Sequence, residues 1–309
     1  MAVSNSLVQS RGGKPKTFSA FLTSDAIKHR INEMVGGKDG QRFITSIISA
    51  VSTNPALAEC DHSTILSAAM LGESLKLSPS PQLGQYYMVP FKDKKRGCKV
   101  AQFQLGYKGY IQLAIRSGYY KKLNVLAIKE GELVSFDPLE EEIKVNLVED
   151  DRERETLPTI GYYAMFEYQN GFRKAMYWSR EKMMAHADRY STAFSAQAYD
   201  RLQKGEIPEK DLWKYSSFWY KDFDGMAYKT MLRQLISRWG IMSIDLQKAM
   251  DGDMGAINED GSVDYVDNYS DETPTRAEEP TPEVVAESAG EAVEEPPVAD
   301  DPAASFFDQ

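Results

Sequence analysis

The stretch from Val100 to Gly118 constrains this chain most, because two glycines cut it into an extended half and a helical half. Val100 to Leu105 is an apolar, aromatic run that Gly106 ends, and Gly118 closes the helical run Tyr107 to Ser117 in the usual C-terminal position. At 100° per residue Lys108, Gln112 and Arg116 fall in one narrow arc, while Tyr110, Ile111, Leu113, Ala114 and Ile115 fill the rest. The predicted helix therefore buries most of its girth and shows a thin cationic seam. Upstream, Leu83 to Phe91 pairs with Val100 to Leu105 around Lys92-Asp-Lys-Lys-Arg-Gly-Cys-Lys99, which reads as a β-hairpin with a basic tip.

Charge adds a second constraint on the same stretch. From Lys94 to Lys129 there are nine basic residues and no Asp or Glu, in a chain with 46 acidic residues among 309. By chance about five acidic residues would fall in a window of that length, so their absence creates a local positive field. Phe103, Tyr107, Tyr110, Tyr119 and Tyr120 are threaded between the cations. Cations that follow a phosphate backbone, mixed with rings that stack on bases, suit single-stranded nucleic acid. The overall charge of −10 hides this. Residues 251–309 hold 18 acidic residues and one basic residue, Arg276, which leaves the first 250 with 35 basic against 28 acidic, a balance of +7. A basic body on an acidic tail is common in proteins that handle nucleic acid.

Along the rest of the chain, Phe18 to Met34 reads as one helix closed by Gly36-Gly37, and Phe43 to Val51 and Thr64 to Leu75 as stronger ones. Leu123 to Ile128, Leu133 to Phe136, Ile143 to Val148, Ile160 to Tyr168 and Arg173 to Trp178 read as strands, the last two joined by an Asn170-Gly171 turn. Glu140-Glu-Glu142 and Glu149 to Glu155 read as solvated loop. Ser179 caps a helix that carries Arg180 and Lys182 just beyond Trp178. Residues 191–212 look like a polar insertion, and the Trp and Tyr residues of Trp213 to Tyr220 are open to core or interface readings. Asp222 to Trp239 is the most regular helix, with Tyr228, Met231, Leu232, Leu235, Ile236 and Trp239 on one side. Lys229 and Arg233, four apart, rise together from its other side and repel unless an anion lies between them. After Met250 the composition is that of a chain that cannot repay the entropy of folding, ending in Phe306-Phe307, a short docking motif for a partner, a segment that loops back onto the basic groove when DNA is absent, or a solubilising end.

Three separated motifs carry a resemblance. Gln104-Leu-Gly-Tyr-Lys-Gly-Tyr-Ile-Gln-Leu-Ala-Ile-Arg-Ser-Gly118, preceded by Leu75-Lys-Leu-Ser-Pro-Ser-Pro-Gln-Leu-Gly84 with Val89-Pro-Phe91 and followed by Ala227-Tyr-Lys-Thr-Met-Leu-Arg233, resemble in order the motifs of the RecT family of phage single-strand annealing proteins. The resemblance spans about residues 41 to 250. It implies an α+β fold, a small antiparallel β-sheet core with flanking helices, divided into an N-terminal arm (1–40, flexible with a short helix), a DNA-binding and annealing core (41–250) and an acidic disordered tail (251–309). It also implies ATP-independent binding of single-stranded DNA and annealing of complementary strands in phage or prophage recombination. The protein would act as a homo-oligomeric ring or helical filament, with a 5′-to-3′ exonuclease and the host single-strand binding protein as partners.

On these grounds Lys108, Arg116, Lys121, Lys122, Lys229 and Arg233 are expected to contact phosphate, with Arg180 and Lys182 beside them, and Gln102 and Gln104 to bond to sugar or backbone. Tyr107, Tyr110 and Trp178 are candidates for ring contacts with bases, Tyr107 and Tyr110 equally for core. The Lys94–Lys129 cations and the Lys229 helix are expected to converge on one trough. No catalytic residue, metal ligand or cofactor is expected. Gly36-Gly-Lys38 is followed by Asp and lacks the strand of a nucleotide-binding loop, and His29, His62 and His186 lack ligand spacing. Cys60 and Cys98 suggest neither a disulfide framework nor a thiolate site, which fits a bacterial cytoplasm, and no apolar run is long enough to span a membrane. A general single-strand coating protein, a metal-dependent nuclease using carboxylates near Glu140 or Asp150, and a structural phage protein are the alternatives.

Overall fold

Pro90 fixes the place of the first strand. A residue without an N–H is tolerated at the edge of a sheet, and β1 (Tyr86–Asp93) is the edge strand of a four-stranded sheet. A computed structural model of the chain describes residues 17–191 and 193–265. All of these lie in one unit, residues 1–273; the second, 274–309, and with it the expected Phe306-Phe307 motif, lies outside the described residues.

The expected basic hairpin is present. β1 pairs antiparallel with β2 (Cys98–Leu105), in register from Tyr86 opposite Leu105 to Asp93 opposite Cys98. Gly97 turns the tip at a φ of +66°, and the buried Asp93 carboxylate accepts from the amides of Lys95 and Arg96. From Val100 to Leu105 every residue of β2 is buried, because the strand is covered by α4 (His62–Ser74), whose Thr64 hydroxyl accepts from the Ala101 amide. α5 (Tyr107–Ser117) follows as expected, and Gly118 ends it in the left-handed region.

A second antiparallel sheet, ordered β3-β6-β7, is formed by β3 (Tyr120–Lys129), β6 (Thr159–Tyr168) and β7 (Arg173–Ser179). Gly171 makes the expected turn at a φ of +86°. α10 (Phe223–Trp239) packs on this sheet and on α5, burying Met231, Leu232, Leu235 and Ile236. Trp239 departs from the expected apolar side and is 38% exposed, its ring lying under the Lys174 ammonium at 4.6 Å. β4 (Leu133–Asp137) and β5 (Glu142–Val145) form a separate hairpin. The α+β class with antiparallel sheets and flanking helices is thus the fold of this chain.

Several boundaries differ from expectation, each for a local reason. The predicted helix Phe18 to Met34 is broken into α1 (Phe18–Leu22) and α2 (Asp25–Val35). The Thr23 and Ser24 hydroxyls bond back to carbonyls of Ser19, Ala20 and Phe21 and end the first piece. Phe18, Leu22 and Ile31 are buried, so the described part of the arm packs on the core. α3 (Gly37–Thr53) starts well before Phe43. The charged Glu149 to Glu155 stretch contains α6 (Asp151–Thr156), because Asp150 caps the amides of Arg152 and Glu153. The polar 191–212 segment contains α8 (Ala196–Gln203) after α7 (Arg180–Tyr190), and Phe194, Tyr199 and Ile207 are buried. Short α9 (Phe218–Lys221) precedes α10.

The boundary expected at Met250 falls inside α11 (Ile244–Gly252). The chain then returns to the first sheet, where β8 (Gly255–Ile257) pairs with β2, Gln102 opposite Ala256, and β9 (Val263–Asp264) pairs with β8. The described residues therefore carry the fold 15 positions past the expected edge of the core.

Candidate nucleic-acid interface

Two of the three separated sequence motifs meet at the start of α5, and two glycines allow it. A Cβ on Gly106 would lie 2.1 Å from the Gly84 carbonyl oxygen, and one on Gly109 would lie 2.1 Å from that of Gln85. The loop from Ser78 to Gln85 can thus rest its backbone directly on the helix. Gly84 turns at a φ of +61°, and the Gln85 side chain accepts from the Ser78 amide to close the loop on itself. At the other end of α5, Arg116 donates to the carbonyl oxygens of Leu75 at 2.6 Å and Lys76 at 3.4 Å. Those are orphan acceptors at the C-terminus of α4, where a cation is favoured.

The outward face of α5 carries Lys108, Gln112, Ile115 and Arg116, all exposed. The cationic seam read from the periodicity is therefore present. Tyr107 is half-buried, its ring edge against Tyr228 at 5.4 Å, and the Lys108 ammonium lies 5.9 Å from the Tyr107 ring centre. Tyr110 is fully buried and takes the core role.

The pairing of Lys229 with Arg233 requires an anion between them, and the fold supplies it from within. Asp253 accepts from the Lys229 ammonium at 2.8 Å on one oxygen and from the Arg233 guanidinium at 2.7 Å on the other. The Leu105 amide at 2.9 Å and the Tyr110 hydroxyl at 3.4 Å complete the carboxylate's surroundings. One enclosed side chain thus ties β2, α5 and α10 together. Burial pushes the Lys229 ammonium below its ordinary range, with Asp253 opposing. The two cations differ in exposure: the Lys229 side chain is 9% exposed and that of Arg233 40%. The expectation that both heads meet solvent is therefore corrected for Lys229, which points inward to a residue assigned from sequence to the tail.

Other expected contacts are also redirected. Gln102 and Gln104 are buried in β2, within the sheet between β1 and β8. Trp178 is buried against His186, and the exposed Lys182 ammonium lies 4.8 Å over its ring. Arg180 donates to the Thr159 carbonyl and the Tyr199 hydroxyl and lies over the Phe223 ring. Lys121 and Lys122 remain on the surface of β3, sharing Glu167 at 2.5 Å and 3.5 Å. At the hairpin tip, Arg96 is held by Asp93 at 3.2 Å and by Asp264 and Asn258. Lys99 pairs with Glu59 at 2.5 Å. Asp253 joins Lys229 and Arg233 of α10 to the Tyr110 hydroxyl of α5, whereas the Arg116, Lys121, Arg180 and Arg96 groups each have separate partners.

Sequence reasoning missed Asp253, although the demand for an anion beside Lys229 was its signal. It also missed the interior pair of Glu132 and Arg154. Glu132 is fully buried and takes two bonds from Arg154, at 2.6 and 3.0 Å, and one each from the Lys129 and Val148 amides. Burial alone would raise this carboxyl; the donors outweigh it and hold it below the usual range. Among the described residues no cluster of His, Cys, Asp and Glu is suited to a metal ion, and no helix is long and apolar enough to cross a membrane. Burial pushes the Cys60 thiol up to about 12, which leaves it a poor nucleophile.

Residues 41–273 match the model of the RecT family. The chain is 36% identical over 260 residues to the uncharacterized protein YqaK of Bacillus subtilis, covering 84% of this chain and 77% of that one. It is 28% identical over 216 residues to Protein RecT of Escherichia coli, covering 69% of this chain and 71% of that one.

Proposed function

The chain belongs to the RecT family, and on that premise we propose that it binds single-stranded DNA through the exposed cations of α5 and α10 and anneals complementary strands without hydrolysing nucleotide. Membership of this family implies single-strand annealing in recombination. The observation that carries the finer reading is the exposed seam of Lys108, Gln112 and Arg116 on α5, in a stretch without a single acidic residue, together with the part-exposed Arg233 of α10. Arg233 is held by one guanidinium nitrogen and offers its remaining donors to a phosphate. Lys108, Arg116, Lys121, Lys122 and Lys182 are the further phosphate contacts; Lys229 serves as Asp253's inner counter-ion, and Tyr107 is the candidate ring.

Annealing needs no fuel on this account. A positive surface lowers the repulsion between two phosphate backbones, and protomers side by side in a ring or filament hold one strand extended. Duplex stacking, at about 1.4 kcal/mol per step, is the thermodynamic sink. The protein has only to speed encounter and tolerate the duplex until release. An exonuclease that exposes one strand is the natural supplier of substrate.

The test is the rate at which two complementary oligonucleotides pair, with neither nucleotide nor divalent metal present. Pairing faster than in the protein-free control is expected. Slower pairing would make this a coating protein, and strands cut on adding a divalent metal would favour the nuclease reading.

A further inference from the structure

We propose that the depression between the Pro81–Gly84 turn and α5 is a seat for one nucleotide of single-stranded DNA, with Leu83 and Ile111 against the base, Lys108 at the phosphate, and Gln82, Gln85 and Gln112 at the polar edges. The seat rests on the DNA-binding reading above and goes beyond it by assigning contact to bases as well as to backbone.

Four observations carry it. The depression is lined by Gln82, Leu83, Gln85, Lys108, Ile111 and Gln112, with one cation and no carboxylate among them, so its chemistry favours an anion with an apolar face over a cation. Its shape is set by backbone, because Gly106 and Gly109 let the Gly84 and Gln85 carbonyls rest where a Cβ would clash at 2.1 Å. Leu83 is 50% exposed, just before the left-handed Gly84, and gives the depression an open apolar wall. Gln85 spends its side-chain oxygen on the Ser78 amide, which leaves its NH2 group as a donor.

Each side chain matches a part of a nucleotide. Leucine and isoleucine offer a flat-enough apolar surface for a base face, and the lysine offers a point charge for phosphate. A primary amide carries donor and acceptor together and turns to suit either, so Gln82 and Gln112, beside the fixed Gln85 donor, suit the polar groups of any base. A seat of this kind holds a strand without reading its sequence, as annealing requires.

The experiment compares the affinity of the full chain for an oligothymidine strand and for an abasic strand of equal length and charge, by fluorescence anisotropy at fixed salt. Wild type is expected to favour the base-bearing strand about fivefold or more. Leu83→Ala and Gln82→Ala, both at exposed positions, are each expected to shrink that ratio by about threefold while leaving abasic affinity unchanged. Lys108→Ala should weaken both strands equally. Parental ratios in both the Leu83 and Gln82 variants would overturn the seat while leaving the DNA-binding reading standing. Equal wild-type affinity for the two strands would do the same, whereas failure to bind either would overturn the DNA-binding reading itself.

Discussion

At the scale of single residues, two buried carboxylates settle what their neighbouring cations are for. Asp253 divides Lys229 from Arg233: the lysine is consumed inside, and the arginine keeps part of its guanidinium at the surface. Glu132 consumes Arg154 in the same way and, through the Val148 amide, pins the chain between β5 and α6. Its depressed pKa has a defined consequence for pH. A carboxyl lower in the folded than in the unfolded chain adds stability at pH above its unfolded value of about 4.3, and that contribution is lost as pH falls through the folded value. Denaturant midpoints measured from pH 7 down to 3 should therefore fall more steeply for wild type than for Glu132→Gln, which should start lower and change less. Equal slopes would remove Glu132 from this role.

At the scale of elements, the contact between the Leu75–Gly84 motif and α5 depends on glycines that have no room for a side chain. Gly109→Ala places a methyl carbon on the Gln85 carbonyl, and overpacking against backbone costs about 1–3 kcal/mol. A lower melting temperature together with weaker single-strand binding is expected, since the loop carrying Gln82 and Leu83 must lift; an unchanged melting temperature would contradict the packing. These elements also show what sequence can and cannot convey. The hairpin, α5 and α10 were legible because apolar period, turn glycines and charge all agreed from Tyr86 to Gly118 and from Asp222 to Trp239. The break after Leu22 and the helix at Asp151 were hidden, because side-chain hydroxyls and a capping Asp override a weak periodic signal. The cationic seam of α5 was read from its spacing, but Ile115, placed by that spacing with the buried residues, is 58% exposed. The inward turn of Lys229 was not legible, because its partner lies 24 residues away in a segment whose composition resembles a tail.

At the scale of the whole molecule, the basic body and the acidic C-terminal segment are less separate than their composition suggests. The described part of that segment returns to β2, sends Asp253 to Lys229 and Arg233, and sends Asp264 to Arg96 at the tip of the basic hairpin. Local positive charge therefore overstates the number of cations free to meet DNA, and the account stands on those whose heads stay exposed. The salt dependence of single-strand binding counts them directly, since each phosphate contact adds about 0.7 to the slope of log affinity against log salt. The decisive comparison is that slope in wild type, Arg233→Gln and Lys229→Met. Arg233→Gln should flatten it by about one contact, while Lys229→Met should lose stability, by about 3 kcal/mol for a broken interior pair, and keep the parental slope. A Lys229→Met slope as flat as that of Arg233→Gln, or an Arg233→Gln slope equal to wild type, would contradict the division of labour that Asp253 imposes.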